Sequence, residues 1–303
     1  MTSSGVQVPR LASLARNDVE IVGPVGAPVV LAIGGISASR SVTTWWGDIA
    51  GQGKVLDTND VRVLGVDFLD GGCGPDGRPD AIVTTHDQAA HIVDILDALD
   101  IEQLDAVVGA SYGGMVALAL AERWPERVAQ LVVVNAAHEP HPMAVGLRAV
   151  QRRVVELGLE TNRVADAMAL ARSIAMTTYR STPEFTARFD VEPVITGNSA
   201  EFDVERYLVH AGERFAERMR ADRFLALSLS IDLHRVIPEA VSVPTTVIAS
   251  THDAIAPEAQ LAEMAARLPG LTAYHVIDSC FGHDAFLTEP QQLASILSVS
   301  LAH

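Results

Sequence analysis

The chain has almost no lysine. Lys54 is the only one, so nearly all of its 22 basic residues are arginines, and 38 acidic residues leave a formal net charge of −16. A surface this acidic argues against nucleic acid and anionic membranes as partners, so an anionic ligand must be held by local arginines. Cysteine is also scarce. Cys73 and Cys280 show neither CxxC nor metal-ligand spacing, which suits reduced thiols rather than a disulfide framework. No metal site and no cofactor is expected. No apolar run reaches membrane-spanning length, and residues 1–20 lack a signal-peptide core. The expected location is the cytoplasm.

What the chain does have is apolar content, 49% of 303 residues, enough for a full core in one α/β domain with an insertion, or in two domains. Short apolar runs, "PVVLAI" (28–33), "VRVLGVDFL" (61–69), "DAVVGA" (105–110) and "VAQLVVVNA" (128–136), alternate with helical patterns such as "HDQAAHIVDILDALDI" and "YGGMVALALAERW". That alternation predicts a mostly parallel sheet with flanking helices. From about His138 to His234 no strand is evident and every pattern reads as helical, "FDVERYLVHAGERFAERMRADRFLALSLSI" included. Strands return with "PTTVIAS" (244–250) and "TAYHVID" (272–278). The expected organisation is an α/β core, 1–138 with 236–303, interrupted by a helical lid over 139–235.

The stretch "VVGASYGGMV" places Ser111 in a G-x-S-x-G motif between a strand and a helix. In a nucleophile elbow the small residues let a strained turn pass close to neighbouring backbone, and the helix N-terminus favours an oxyanion. A serine needs a base and a group that orients it. Asp253 in "VIASTHDAIAP" and His283 in "VIDSCFGHDAF" follow in the order Ser, Asp, His, each after a strand. Taken singly, Asp253 reads equally well as a helix start and His283 as a loop histidine; jointly they favour a triad. The oxyanion donors are expected to be the N–H groups of Tyr112 and of Gly35 in "IGGIS", with Gly34 and Ile36 as alternatives.

With these motifs in view, the chain resembles the homoserine O-acyltransferases of the α/β-hydrolase fold, enzymes of methionine biosynthesis, through most of its length. The resemblance is carried by "WWGDIAGQGKVLDTNDVRVLGVDFLDGGCG", "GASYGGMVALALAERWPERV", "AVQRRVV", "FDVERYL", "DAIAP" and "GHDAFL". It implies Ser111 as nucleophile, His283 as base, Asp253 as orienting acid, and Arg152 and Asp284 as ligands of the acceptor's carboxylate and ammonium. It also implies L-homoserine as acceptor, an acyl-CoA co-substrate and a homodimer. Where the acetyltransferases carry Gly-Gly-Ser-Met-Gly-Gly-Met-Gln and "HALTGS", this chain has "GASYGGMV" and "GGISASR". Both differences resemble the branch that uses succinyl-CoA, and they place Tyr112 and Arg40 near the acyl group. Acetyl-CoA remains the alternative donor and serine the alternative acceptor. The arginines of "ERFAERMRADR" (Arg214, Arg218, Arg220, Arg223) are candidates for CoA phosphates, against a solvated face or a subunit contact. Two rival readings are an esterase or thioesterase, which has no need of an amino-acid clamp, and a non-catalytic binding protein of the same fold.

Overall fold

A computed structural model of the chain describes residues 19–301. Seven strands form its central sheet. In chain order they are β1 (Val19–Val22), β2 (Val29–Ile33), β3 (Arg62–Val66), β4 (Ala106–Ala110), β5 (Leu131–Val134), β6 (Thr245–Ser250) and β7 (Leu271–Ile277). Side by side they run β1-β3-β2-β4-β5-β6-β7. Within this sheet only the edge strand β1 is antiparallel to its neighbour; the other pairs are parallel.

The strands read as unbroken apolar runs because both faces are covered. In β2, Val29, Leu31 and Ile33 enter one core cluster, and Val30 and Ala32 enter the other. The period of two thus assigns successive side chains to opposite faces. The first face is covered by α1 (Thr85–Ala98) and α2 (Tyr112–Arg123). A capping box starts α1: the Thr84 hydroxyl accepts from the Asp87 N–H, and the Asp87 carboxylate accepts from the Thr84 N–H at 2.8 Å.

Between β5 and β6 the chain builds α3 (Pro142–Glu160), α4 (Val164–Tyr179), α5 (Thr182–Arg188), α6 (Asp203–Ala216) and α7 (Ala221–Asp232). This stretch departs from the sequence expectation in two ways. An antiparallel ribbon, Val194–Thr196 with Ser199–Glu201, stands where no strand was expected; Gly197, at φ +62°, turns its corner. The single helical reading over 202–231 is split between α6 and α7. The two halves have different environments: α6 buries Gly212 against α4, where a Cβ would lie 2.4 Å from the Ala169 carbonyl, whereas α7 is buried through most of its length. After β6, α8 (Glu258–Arg267) joins the first face and α9 (Pro290–Ser300) covers the second. No helix among the described residues is long and apolar enough to cross a membrane.

Chain direction fixes where chemistry can occur. From β2 the chain goes to β3 on one side and then returns to β4 on the other. Such a switch point opens a crevice at the carboxyl ends of the strands, where ligands bind in open α/β sheets. Gly35 follows β2, Ser111 follows β4, Asp253 follows β6 and His283 follows β7.

Candidate active site

Ser111 sits at φ +54°, ψ −123°, between β4 and α2. A β-carbon on Gly109 would lie 2.5 Å from the Gly113 carbonyl, and one on Gly113 would lie 2.3 Å from the Ile33 carbonyl. Only glycine allows these approaches, and the close passage of backbones holds the serine in its costly conformation. The turn is tied down by Ser111 N–H to Val134 and Gly113 N–H to Gly34, both 2.9 Å.

The Ser111 hydroxyl donates to His283 Nε2 at 2.8 Å, and His283 Nδ1–H donates to Asp253 Oδ2 at 2.7 Å. Asp253 Oδ1 accepts from the N–H groups of Ile255 (2.8 Å) and Ala256 (2.9 Å). The carboxylate is therefore fixed on both oxygens and keeps the imidazole in the tautomer that accepts from serine. Burial pulls the His283 pKa down, but the charge and hydrogen bond of Asp253, with Asp284 adding to them, outweigh it, so the pKa lies above the ordinary 6.5. Asn135, unnoticed in the sequence, braces the loop: its amide donates to the His283 carbonyl at 3.0 Å and accepts from Ser250 at 2.9 Å.

A β-carbon on Gly35 would stand 3.9 Å from the Ser111 oxygen, so this loop is the neighbour of the hydroxyl. The Tyr112 side chain is buried beside the crevice. Its hydroxyl is 2.7 Å from Ser230 on α7, its ring packs edge-on against Phe68 at 4.8 Å, and burial raises its pKa. Arg40 is ion-paired with Asp67 and is not an uncommitted cation.

Two cavities meet at Ser111 and His283. One, about 190 Å³, is lined by Gly35, Trp45, Arg172 and Asp284. The other, smaller one is lined by Met115, Asn135, Arg148 and Gln260. Asp284 thus faces the first cavity, but Arg152 does not accompany it. Arg152 points to α7, with its Nη1 2.6 Å from Asp232 and within hydrogen-bonding distance of Ser228. The arginine at Asp284 is Arg180, whose Nε lies 3.1 Å from Oδ2. Arg180 follows the last turn of α4, where Ser181 donates to the Cys280 carbonyl and draws this corner onto the histidine loop. Arg172 stacks on Tyr179 and Phe215, 5.2 and 5.1 Å from their ring centres.

The alpha/beta hydrolase fold model matches residues 28–290. A homoserine O-succinyltransferase of Xanthomonas campestris pv. campestris is 41% identical over 290 residues, 93% of this chain and 78% of that protein. The chain belongs to the homoserine O-acyltransferases of the alpha/beta hydrolase fold. A homoserine O-acetyltransferase of Citrifermentans bemidjiense is 33% identical over 289 residues, 84% of this chain and 78% of the relative. Among solved structures, a homoserine O-acetyltransferase from Bacillus anthracis superposes with a TM-score of 0.83 at 18% identity, covering 94% of this chain and 91% of that one.

For a homoserine O-acyltransferase, three arginines stand out that the sequence reading passed over: Arg148, Arg172 and Arg180. A signal existed for the first. Arg148 and Arg152 are four apart on α3, so they share a helix face. Arg172 and Arg180 depend on how α4 crosses the crevice, which no local pattern encodes.

Proposed function

We propose that this acyltransferase moves a succinyl group from succinyl-CoA to the γ-hydroxyl of L-homoserine through an acyl-Ser111 intermediate, a step of methionine biosynthesis. The observation that carries the acceptor is the Asp284 carboxylate paired with Arg180 beside His283. A free amino acid offers an ammonium for Asp284 and a carboxylate for an arginine, and a simple ester offers neither. The acceptor arginine is read as Arg180, held on Asp284, with Arg172 lining the cavity that Asp284 faces, in place of Arg152. The 41% identical relative, itself a homoserine O-succinyltransferase, supports the donor.

In the first step His283 takes the Ser111 proton, and the serine oxygen attacks the thioester carbon. The oxyanion is received by the N–H groups of Tyr112 and Gly35. Collapse breaks the C–S bond, and the proton on His283 leaves with CoA thiol. In the second step His283 accepts the γ-hydroxyl proton of homoserine, whose oxygen attacks the acyl-serine. Breaking the ester returns the proton to Ser111. Tyr179 and Ile231, from the helices between β5 and β6, line both cavities, so these helices act as a lid that limits access of water. Beyond Ile36–Ser37 lies a larger cavity of about 960 Å³ bearing Arg218 and Arg223, which suits the CoA moiety.

The test is CoA release from succinyl-CoA and from acetyl-CoA, each with homoserine, with serine and with no acceptor. The expected result is release from succinyl-CoA that depends on homoserine, with a succinylated Ser111 peptide trapped when acceptor is omitted. Release that is fast and indifferent to the acceptor would identify a hydrolase.

A further inference from the structure

Arg148 and Arg152, one turn apart on α3, share a single carboxylate. Arg148 Nε lies 2.6 Å from Asp232 Oδ1, and Arg152 Nη1 lies 2.6 Å from Asp232 Oδ2. All three side chains are largely buried, at 9%, 16% and 6% exposure. Two guanidinium groups against one carboxylate leave a positive charge unmatched in the interior. A buried charge without a partner is among the costliest features a fold can carry.

The unmatched charge has a direction. Arg148 Nη2 is buried and finds no hydrogen-bond partner among the described residues. Arg148 lines the smaller of the two cavities that meet at Ser111, together with Met115, Ala137 and His283. Glu139 lines it too, but its carboxylate pairs with Arg235 at 3.6 Å. Arg148 is close enough to His283 to lower its basicity. Asp284 and Arg172 belong to the other cavity.

We infer that Arg148 is the residue that selects the acyl group, by pairing with the distal carboxylate of a dicarboxylic acyl chain held on Ser111. The inference rests on the acyl-serine reading above and deepens it. The two cavities divide the substrates: the acceptor amino acid lies on the Asp284 side, and the acyl tail on the Arg148 side. Arg152 and Asp232 are positioning residues. Asp232 fixes Nε of Arg148, and Arg152 occupies the second carboxylate oxygen, so Asp232 cannot fully neutralise Arg148. A carboxylate arriving at Nη2 restores charge balance; an acetyl group brings none and leaves the cation bare.

The test compares kcat/KM for succinyl-CoA and acetyl-CoA, at varied homoserine, in the parent protein and in Arg148→Leu and Arg148→Lys. In Arg148→Leu the expected succinyl-to-acetyl ratio falls on the order of a hundredfold, through loss of kcat/KM for succinyl-CoA. Arg148→Lys recovers part of the ratio. Thermal unfolding of the same preparations reports that the variants are folded. A ratio unchanged in Arg148→Leu, with wild-type protein using succinyl-CoA, overturns the role of Arg148 and leaves the succinyl reading intact. A higher KM for homoserine with both donors at a constant ratio also overturns it and assigns Arg148 to the acceptor. Wild-type protein that does not use succinyl-CoA overturns both.

Discussion

Asn135 and His283 are joined by a hydrogen bond between the Asn135 side-chain amide and the His283 main-chain carbonyl, at 3.0 Å across 148 residues of sequence. Asn135 itself sits just past β5 at φ +48°, and Ser250 at the end of β6 donates to its amide oxygen. The histidine loop is thus pinned to two central strands. Replacing Asn135 by Ala should lower kcat by roughly 10- to 100-fold, because a small displacement of a proton-transfer group is costly. It should also lower stability by about 1–2 kcal/mol, because Ser250 loses its buried acceptor. Steady-state kinetics and thermal unfolding check the two effects separately.

The pH dependence has a definite sign. His283 must be neutral to take a proton, and its pKa in the folded protein lies above 6.5. The acid limb of kcat/KM should therefore have its midpoint above 6.5. Asp253→Asn removes the largest of the upward influences and leaves burial, which acts downward. The limb should move to lower pH while kcat falls on the order of 10³–10⁴-fold. The stability linkage follows the same sign: the raised pKa favours the folded state fully below 6.5, and that gain is lost as pH rises through the folded-state value. An acid limb in Asp253→Asn at or above that of the parent would refute this account.

The Arg180–Asp284 pair should behave as one unit towards the acceptor. Asp284→Asn and Arg180→Gln are each expected to raise KM for homoserine by about two orders of magnitude. The double variant should cost much less than the product of the two, because they share a partner. Acyl-enzyme formation, measured as a CoA burst without acceptor, should survive in both single variants. Loss of the burst would place the pair in the first half-reaction instead.

Gly113 has no room for a side chain. Its β-carbon would fall 2.3 Å from the Ile33 carbonyl, which is backbone of a central strand and cannot move aside. Gly113→Ala should cost about 3 kcal/mol or more, visible in chemical denaturation. Gly146→Ala, on the exposed side of α3 with open space around it, is the matched control and should be neutral or slightly stabilising.

The elbow was legible because its requirements are local: glycines at fixed offsets, a buried strand before and a helix after. Asp253 and His283 were legible because each follows a strand whose apolar run marks its end. The partners of the arginines were not. "VQRR" and "TYRS" both present arginines from helices of the same inserted stretch, and only the packing of α3 on α7 and of α4 on the histidine loop sends Arg152 to Asp232 and Arg180 to Asp284. The ribbon at 194–201 escaped notice because its strands are three residues long and wholly exposed, so they carry no apolar alternation. The edge strand β1 is only four residues long, half-buried throughout.

The Ser111–His283 bond spans 172 residues, and the whole helical stretch between β5 and β6 lies within that span. No amino-terminal piece that stops before residue 283 holds both groups, and no local hairpin or helix pair can rehearse their meeting. Entropy of closing so long a loop is recovered only when the sheet is complete from β2 to β7. Turnover is therefore a late and cooperative property of this chain: during synthesis or refolding, the first catalytic event marks the moment at which the last strand has docked.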